Sequence, residues 1–235
     1  RKNTPDRHFD CPDIIQLGFW PGGDRDGNPF VTWETTRDVA DELRMTLMKC
    51  YYQDLKDLEK KLTFRNVEDI VEKLKTRLYV TMFDPAKTIP YREVIDPLHL
   101  IQASLIDKYN SLYLEELENL IDKVNIFKTH FATLDIRQNH SVHKQAIQEI
   151  LKKENLIDTS LEELGNDALI AILLRKDISV NPDQFEDEIV KDTLRTIRQM
   201  KSIQSKNGEE GCNRYIISNT EDIFAVLFVY SLFRW

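Results

Sequence analysis

The stretch Gly22-Gly23-Asp24-Arg25-Asp26-Gly27-Asn28-Pro29 gathers three of the chain's seven glycines and three charges into eight residues. Glycine allows backbone angles and close approaches that other residues resist, so this density marks a backbone shaped around something. Arg25 has the chemistry to hold an anion or a transition-state charge, while Asp24 and Asp26 can orient it or a metal. The blander reading is a tight turn fixed by its own Asp-Arg pair. No Gly-Lys-Ser/Thr follows, which excludes a P-loop.

A second group, Asp135-Ile136-Arg137-Gln138, puts an arginine at the end of a short apolar run. The planar guanidinium fork suits phosphate or carboxylate, since it makes two parallel charge-assisted bonds. A salt bridge closing a rim would use the same residues. His140 and His143 follow at a helix start, three positions apart. A capping or substrate-shell role suits them better than a metal, because helical metal pairs are better attested at four-residue spacing with a third ligand in reach.

The elements that must position these groups follow from the apolar periodicity. Arg1 to Pro12 is polar and irregular. Ile14 to Trp20 reads as a buried strand that Pro21 stops. Thr32 or Thr35 can cap a long helix running to about Lys61, with Val39, Leu43, Leu47, Cys50, Tyr51 and Leu55 as its buried stripe. Asn66 can cap a second helix. From Val94 to Phe127 the pattern is helical with a break around Asp107 to Ser111. Phe131 to Ile136 reads as a second strand, followed by a helix from Val142 to Lys152. Leu161 to Leu174 and Phe185 to Gln204 read as further helices, Tyr215 to Ser218 as a third strand, and Ile223 to Phe233 as an apolar core helix.

The expected fold class is therefore mainly α with a few short parallel strands: an incomplete (β/α)8 TIM-barrel segment with long helical insertions, in which three strand ends face one site. Residues 1–235 are expected to form a single fragment with both termini truncated. The chain opens on Arg1 and closes on Trp235 directly after the apolar run.

Composition narrows the function classes. A net charge of −8 across 235 residues argues against a nucleic-acid partner, which needs a surplus of basic residues on one face. No run is long enough to span a bilayer. Cys11, Cys50 and Cys212 lie far apart in no metal-ligand pattern, as expected of buried thiols in a reducing cytoplasm. The acidic runs at Glu115-Glu116, Glu162-Glu163 and Glu186-Asp187-Glu188 read as solvated helix faces.

The segments Trp20 to Thr32 (WPGGDRDGNPFVT) and Leu134 to His143 (LDIRQNHSVH) resemble two signature stretches of the phosphoenolpyruvate carboxylases, and Tyr215 to Val226 (YIISNTEDIFAV) more weakly resembles a third. The resemblance implies a cytoplasmic enzyme, a homotetramer around a (β/α)8 barrel. Its reaction joins phosphoenolpyruvate and bicarbonate to give oxaloacetate and phosphate, with magnesium or manganese, through carboxyphosphate and a pyruvate enolate. It assigns Arg137 to the substrate phosphate and places Asp24, Arg25 and Asp26 in an active-site loop as catalytic residues. Gly22, Gly23, Asn28 and Gln138 join Arg137 as substrate-binding residues.

The match has departures. Phe30 stands where the family usually has Asn, Asn139 where it has Glu, and Ser218-Asn219-Thr220 where it has Ser-Met-Ala. The family's catalytic histidine motif, metal carboxylates, further arginines and glycine-rich loop fall outside this chain. It is thus expected to be inactive alone and to bind no metal. The rival reading is a non-catalytic helical scaffold or interaction module, or a diverged phosphate-binding relative.

Overall fold

The computed structural model describes residues 16–28 and 30–235. Its centre is a three-stranded sheet: β1 (Gly18–Phe19), β2 (Thr133–Asn139) and β3 (Arg214–Ser218), in the order β1-β2-β3. Both pairings are parallel, with Phe19 opposite Leu134 and Arg137 opposite Ile216. Eight α-helices accompany it among the described residues: α1 (Trp33–Glu59), α2 (Glu68–Thr81), α3 (Tyr91–Lys108), α4 (Leu114–Phe127), α5 (His140–Lys153), α6 (Asn166–Leu173), α7 (Glu188–Asn207) and α8 (Ile223–Arg234). The mainly helical fold with a few parallel strands is as the periodicity predicts.

Three apolar clusters organise the helices. Ala40 of α1, Leu134 and Ile136 of β2, Met200 and Ile203 of α7, and Cys212 cover one face of the sheet. The far half of α1 packs with α2, α3 and α4 around residues such as Leu55, Leu74, Leu98 and Leu117. A third cluster joins α5, α6, α7 and α8 through Ile147, Leu173, Val190 and Phe228. At 27 residues α1 is about 40 Å long, and so it reaches from the sheet into the α2–α4 layer.

Several expectations need correction. Ile14 and Ile15 of the first predicted strand lie outside the described residues, as do Arg1 to Pro12 and Pro29. The paired part of that strand is two residues long, and Leu17 and Trp20 are exposed at this edge of the sheet, where Phe19 is the β1 side chain packed against α1. The second strand runs three residues past Ile136 because Arg137, Gln138 and Asn139 pair with β3, while Phe131 sits outside it at a φ of 69°. The third strand begins one residue earlier than predicted, at Arg214.

The helices differ too. Thr32, not Thr35, caps α1, accepting a hydrogen bond from Thr35 N. The buried stripe of α1 is Thr36, Ala40, Arg44, Leu47, Met48, Tyr51, Leu55 and Leu58, so Val39, Leu43 and Cys50 lie to its side. Cys50 is exposed, against the expectation of buried thiols, whereas Cys212 is buried and its thiol is pushed up to about 12 by that burial and by Asp135. Asn66 does not cap α2: it takes a φ of 71°, and Val67 precedes the helix with no side-chain bond. The predicted helix from Leu161 is divided into a 3-10 turn at Leu161–Glu163 and α6, with extended backbone at Leu164 and Gly165 between them. Asn139 caps α5, which therefore begins at His140, and Asp187 caps α7, which begins at Glu188.

Candidate functional site

The glycine octet leaves β1 and returns to β2. Trp20 O accepts from Gly23 N and Asp24 N, both at 3.0 Å, which closes a turn. Gly22 adopts a φ of +82° against Val39, where a Cβ would stand 2.6 Å from the valine side chain. Gly23 lies so close to β2 that a Cβ there would be 2.1 Å from the carbonyl oxygen of Asp135, so only glycine fits. Pairing then resumes: Arg137 N donates to Gly23 O at 2.9 Å and Arg25 N donates to Arg137 O at 3.0 Å.

This return to strand geometry makes successive side chains alternate between the two faces of the sheet. Asp24 and Arg137 stand opposite each other and share the face that no described helix covers. Their charges meet at 3.4 Å, with the Arg137 side chain 43% exposed. Beside them Asn139 Nδ2 donates to Asp26 Oδ1 at 3.3 Å, and Asp26 N donates to Asp24 Oδ1 at 3.2 Å. Lower on the same face Arg214 pairs with Asp135 at 3.4 Å.

Arg25 points the other way. Its guanidinium is buried beneath the loop, pairs with Asp192 of α7 at 2.8 Å and reaches Thr36 Oγ1 at 3.5 Å. Burial lowers its pKa while Asp192 opposes that shift. Thr36 Oγ1 donates in turn to Gly22 O at 2.7 Å, so α1 holds the first glycine while α7 holds the arginine. Gln138 is also buried on this side, with its Oε1 accepting from Asn139 N at 2.8 Å. Arg25, Asn28, Gln138 and Asp192 line a cleft of about 650 Å³ with Trp33 and Arg195.

The candidate residues thus fall into two sets. Asp24, Asp26 and Arg137 come together on the open face. Arg25, Gln138 and Asn28 line the helix-side cleft, and Gly22 and Gly23 supply only backbone.

The two histidines are internal. The His140 ring stacks on Phe228, and His143 Nε2 is 2.8 Å from Tyr215 Oη. Burial, with a smaller contribution from His140, pushes His143 down to about 4, so it is neutral at pH 7. Nothing near Asp192 or Thr36 in sequence marks either as a partner of Arg25, and the strand and motif that begin at Tyr215 do not reveal its contact with His143. Three or more His, Cys, Asp or Glu side chains able to hold a metal do not converge among the described residues. Asp24, Asp135 and Asp192 are each paired with an arginine, and so this donor set does not fit a divalent ion.

Comparison with known proteins bears on this geometry. The family model described as phosphoenolpyruvate carboxylase matches residues 1–89 and 82–235. A phosphoenolpyruvate carboxylase of Synechocystis sp. (strain ATCC 27184 / PCC 6803 / Kazusa) is 33% identical over 134 residues, covering 55% of this chain and 13% of the relative. One of Gloeobacter violaceus (strain ATCC 29082 / PCC 7421) is 31% identical over 138 residues, covering 55% of this chain and 14% of the relative. Each alignment therefore spans about one seventh of a relative's length. With the glycine octet and the LDIRQ segment lying side by side in the sheet and the family model matched across the whole chain, the chain belongs to the phosphoenolpyruvate carboxylase family.

Proposed function

We propose that this chain forms one wall of the active site of an enzyme that carboxylates phosphoenolpyruvate with bicarbonate, giving oxaloacetate and phosphate. The observation that carries the reading is Arg137: a half-exposed guanidinium on the helix-free face, paired only loosely with Asp24, in a segment that matches the family. The β1-β2-β3 sheet then serves as three strands of a (β/α)8 barrel whose interior is the charged face, and α2–α4 as an insertion. A parallel sheet is normally covered on both faces, which supports a closed barrel in the complete protein.

In this role Arg137 donates two charge-assisted hydrogen bonds to the substrate phosphate, and its fixed charge stabilises the anions that develop as bicarbonate attacks. Asp24 orients the guanidinium, and Asp26 orients Asn139 at the strand end. Arg25 and Gln138 hold the wall from behind. The magnesium or manganese of such an enzyme finds no ligand set among the described residues, and so no step here runs through it.

The test is Arg137→Ala in a complete family member carrying this chain. Loss of one preorganised charge stabiliser should lower phosphoenolpyruvate-dependent bicarbonate incorporation by about 10²-fold or more. Unchanged turnover would remove Arg137 from the site.

A further inference from the structure

The two carboxylate oxygens of Asp192 perform separate tasks. Oδ2 accepts from Arg25 Nη2 at 2.8 Å, and Oδ1 accepts from the backbone N–H of Trp33 at 2.8 Å. Trp33 is the first residue of α1, whose opening N–H groups have no partner within the helix, so an α7 side chain closes the start of α1. The same carboxylate neutralises the guanidinium of Arg25, whose side chain is 3% exposed. Arginine cannot shed its proton in a protein, and a buried charge without a partner is strongly unfavourable. Among the described residues, Asp192 is the carboxylate bonded to Arg25.

The consequence reaches the opposite side of the sheet. The backbone bonds on either side of Asp24 put it level with Arg137, and alternation puts Asp24 and Asp26 on whichever side Arg25 does not take. We propose that Asp192 is the positioning residue of this loop: by holding Arg25 beneath the sheet it fixes Asp24 and Asp26 on the open face beside Arg137 and Asn139. It touches no substrate itself. The importance of that arrangement for anions rests on the function proposed above for Arg137.

Asp192→Asn keeps the shape of the side chain and an acceptor for Trp33 N while removing the negative charge. In the whole chain, hydrogen exchange at Arg25 N and Arg137 N, which bond Arg137 O and Gly23 O, should lose about 10²-fold of protection. Amides of α2, α3 and α4 should keep theirs, and Asp192→Glu should recover part of the loss. Unchanged protection at the two loop amides, or an equal loss throughout the chain, overturns the proposal.

If Asp192→Asn does not fold, Arg25→Met carries the test, because Asp192→Asn should then add nothing to the exchange of the loop amides in that background. An additive loss would show that Asp192 acts through the start of α1 alone. Inorganic phosphate followed by ³¹P NMR provides the link to function. Its binding should weaken about tenfold in Asp192→Asn and vanish in Arg137→Ala. If the unaltered chain binds no phosphate, the anion reading of this face fails, while the exchange result still decides the role of Asp192.

Discussion

The two faces of the sheet are built from alternate residues of the same strands, yet they obey opposite rules. Leu134 and Ile136 are buried under α1 and α7, where Ala40, Met200 and Ile203 exclude water from them. Asp135, Arg137 and Asn139, their immediate neighbours, carry charge or amide groups on a face that no described helix covers. On the first face burial of apolar area holds the strands to the helices. On the second, Arg137 with Asp24 and Arg214 with Asp135 pair at 3.4 Å and stay partly exposed, geometry that contributes little to stability and leaves the groups available to a ligand. Stability and chemistry are thus separated by one position in sequence.

The separation is open to three measurements of stability. Ile136→Ala should be the most damaging, at about 2 to 5 kcal/mol by chemical denaturation, because the side chain is fully buried and its cavity cannot collapse against a β-strand. A cost below 1 kcal/mol would mean that the helix-covered face is not the structural one.

Acid should act next, again from the covered side. His143 is held neutral with its pKa near 4 when folded, against about 6.5 when unfolded, so the unfolded chain binds a proton first as pH falls. Stability present above pH 6.5 is therefore lost between about pH 6.5 and 4, by roughly 3 kcal/mol in full. Burial also lowers His130, which adds in the same direction. Denaturation midpoints at pH 7, 5 and 4 should show the slope, and His143→Gln should flatten it. An unaltered slope in that variant would assign the effect elsewhere.

The smallest effect belongs to the open face. Arg137→Ala should change stability by less than about 1 kcal/mol, since the ion pair with Asp24 is long and half-exposed. A loss as large as that of Ile136→Ala would merge the two faces into one structural unit.

Much of this arrangement could be read from local chemistry. The octet announces itself because glycine and charge so close together are rarely accidental, and the strands show because Leu134, Ile136 and Tyr215 belong to short apolar runs. What local reading joins together, strand geometry divides. Asp24, Arg25 and Asp26 are consecutive, and only the resumed pairing with β2 reveals that the arginine faces away from both acids. The partners of buried charges are also invisible in sequence. Arg44 interrupts the apolar stripe of α1, and it is buried because Pro85 O, Lys87 O and Asn207 Oδ1, together with Asp41, accept its donors. Asp192 is one of two acids in a helix rich in basic residues, and 167 positions separate it from Arg25.

The path of the octet also sets a rule of parity. Between Phe19 and Asp24 the first strand advances five positions, while β2 advances three between their partners Leu134 and Arg137. The excess of two is even, so the detour returns the chain in phase: Phe19 faces the helices and Asp24 faces away from them, as Leu134 and Arg137 do. A loop shortened or lengthened by two residues would preserve the sign of charge on each side. A change of one residue that also slipped the pairing by one position would present Arg25 to the open face and drive two aspartates under the sheet.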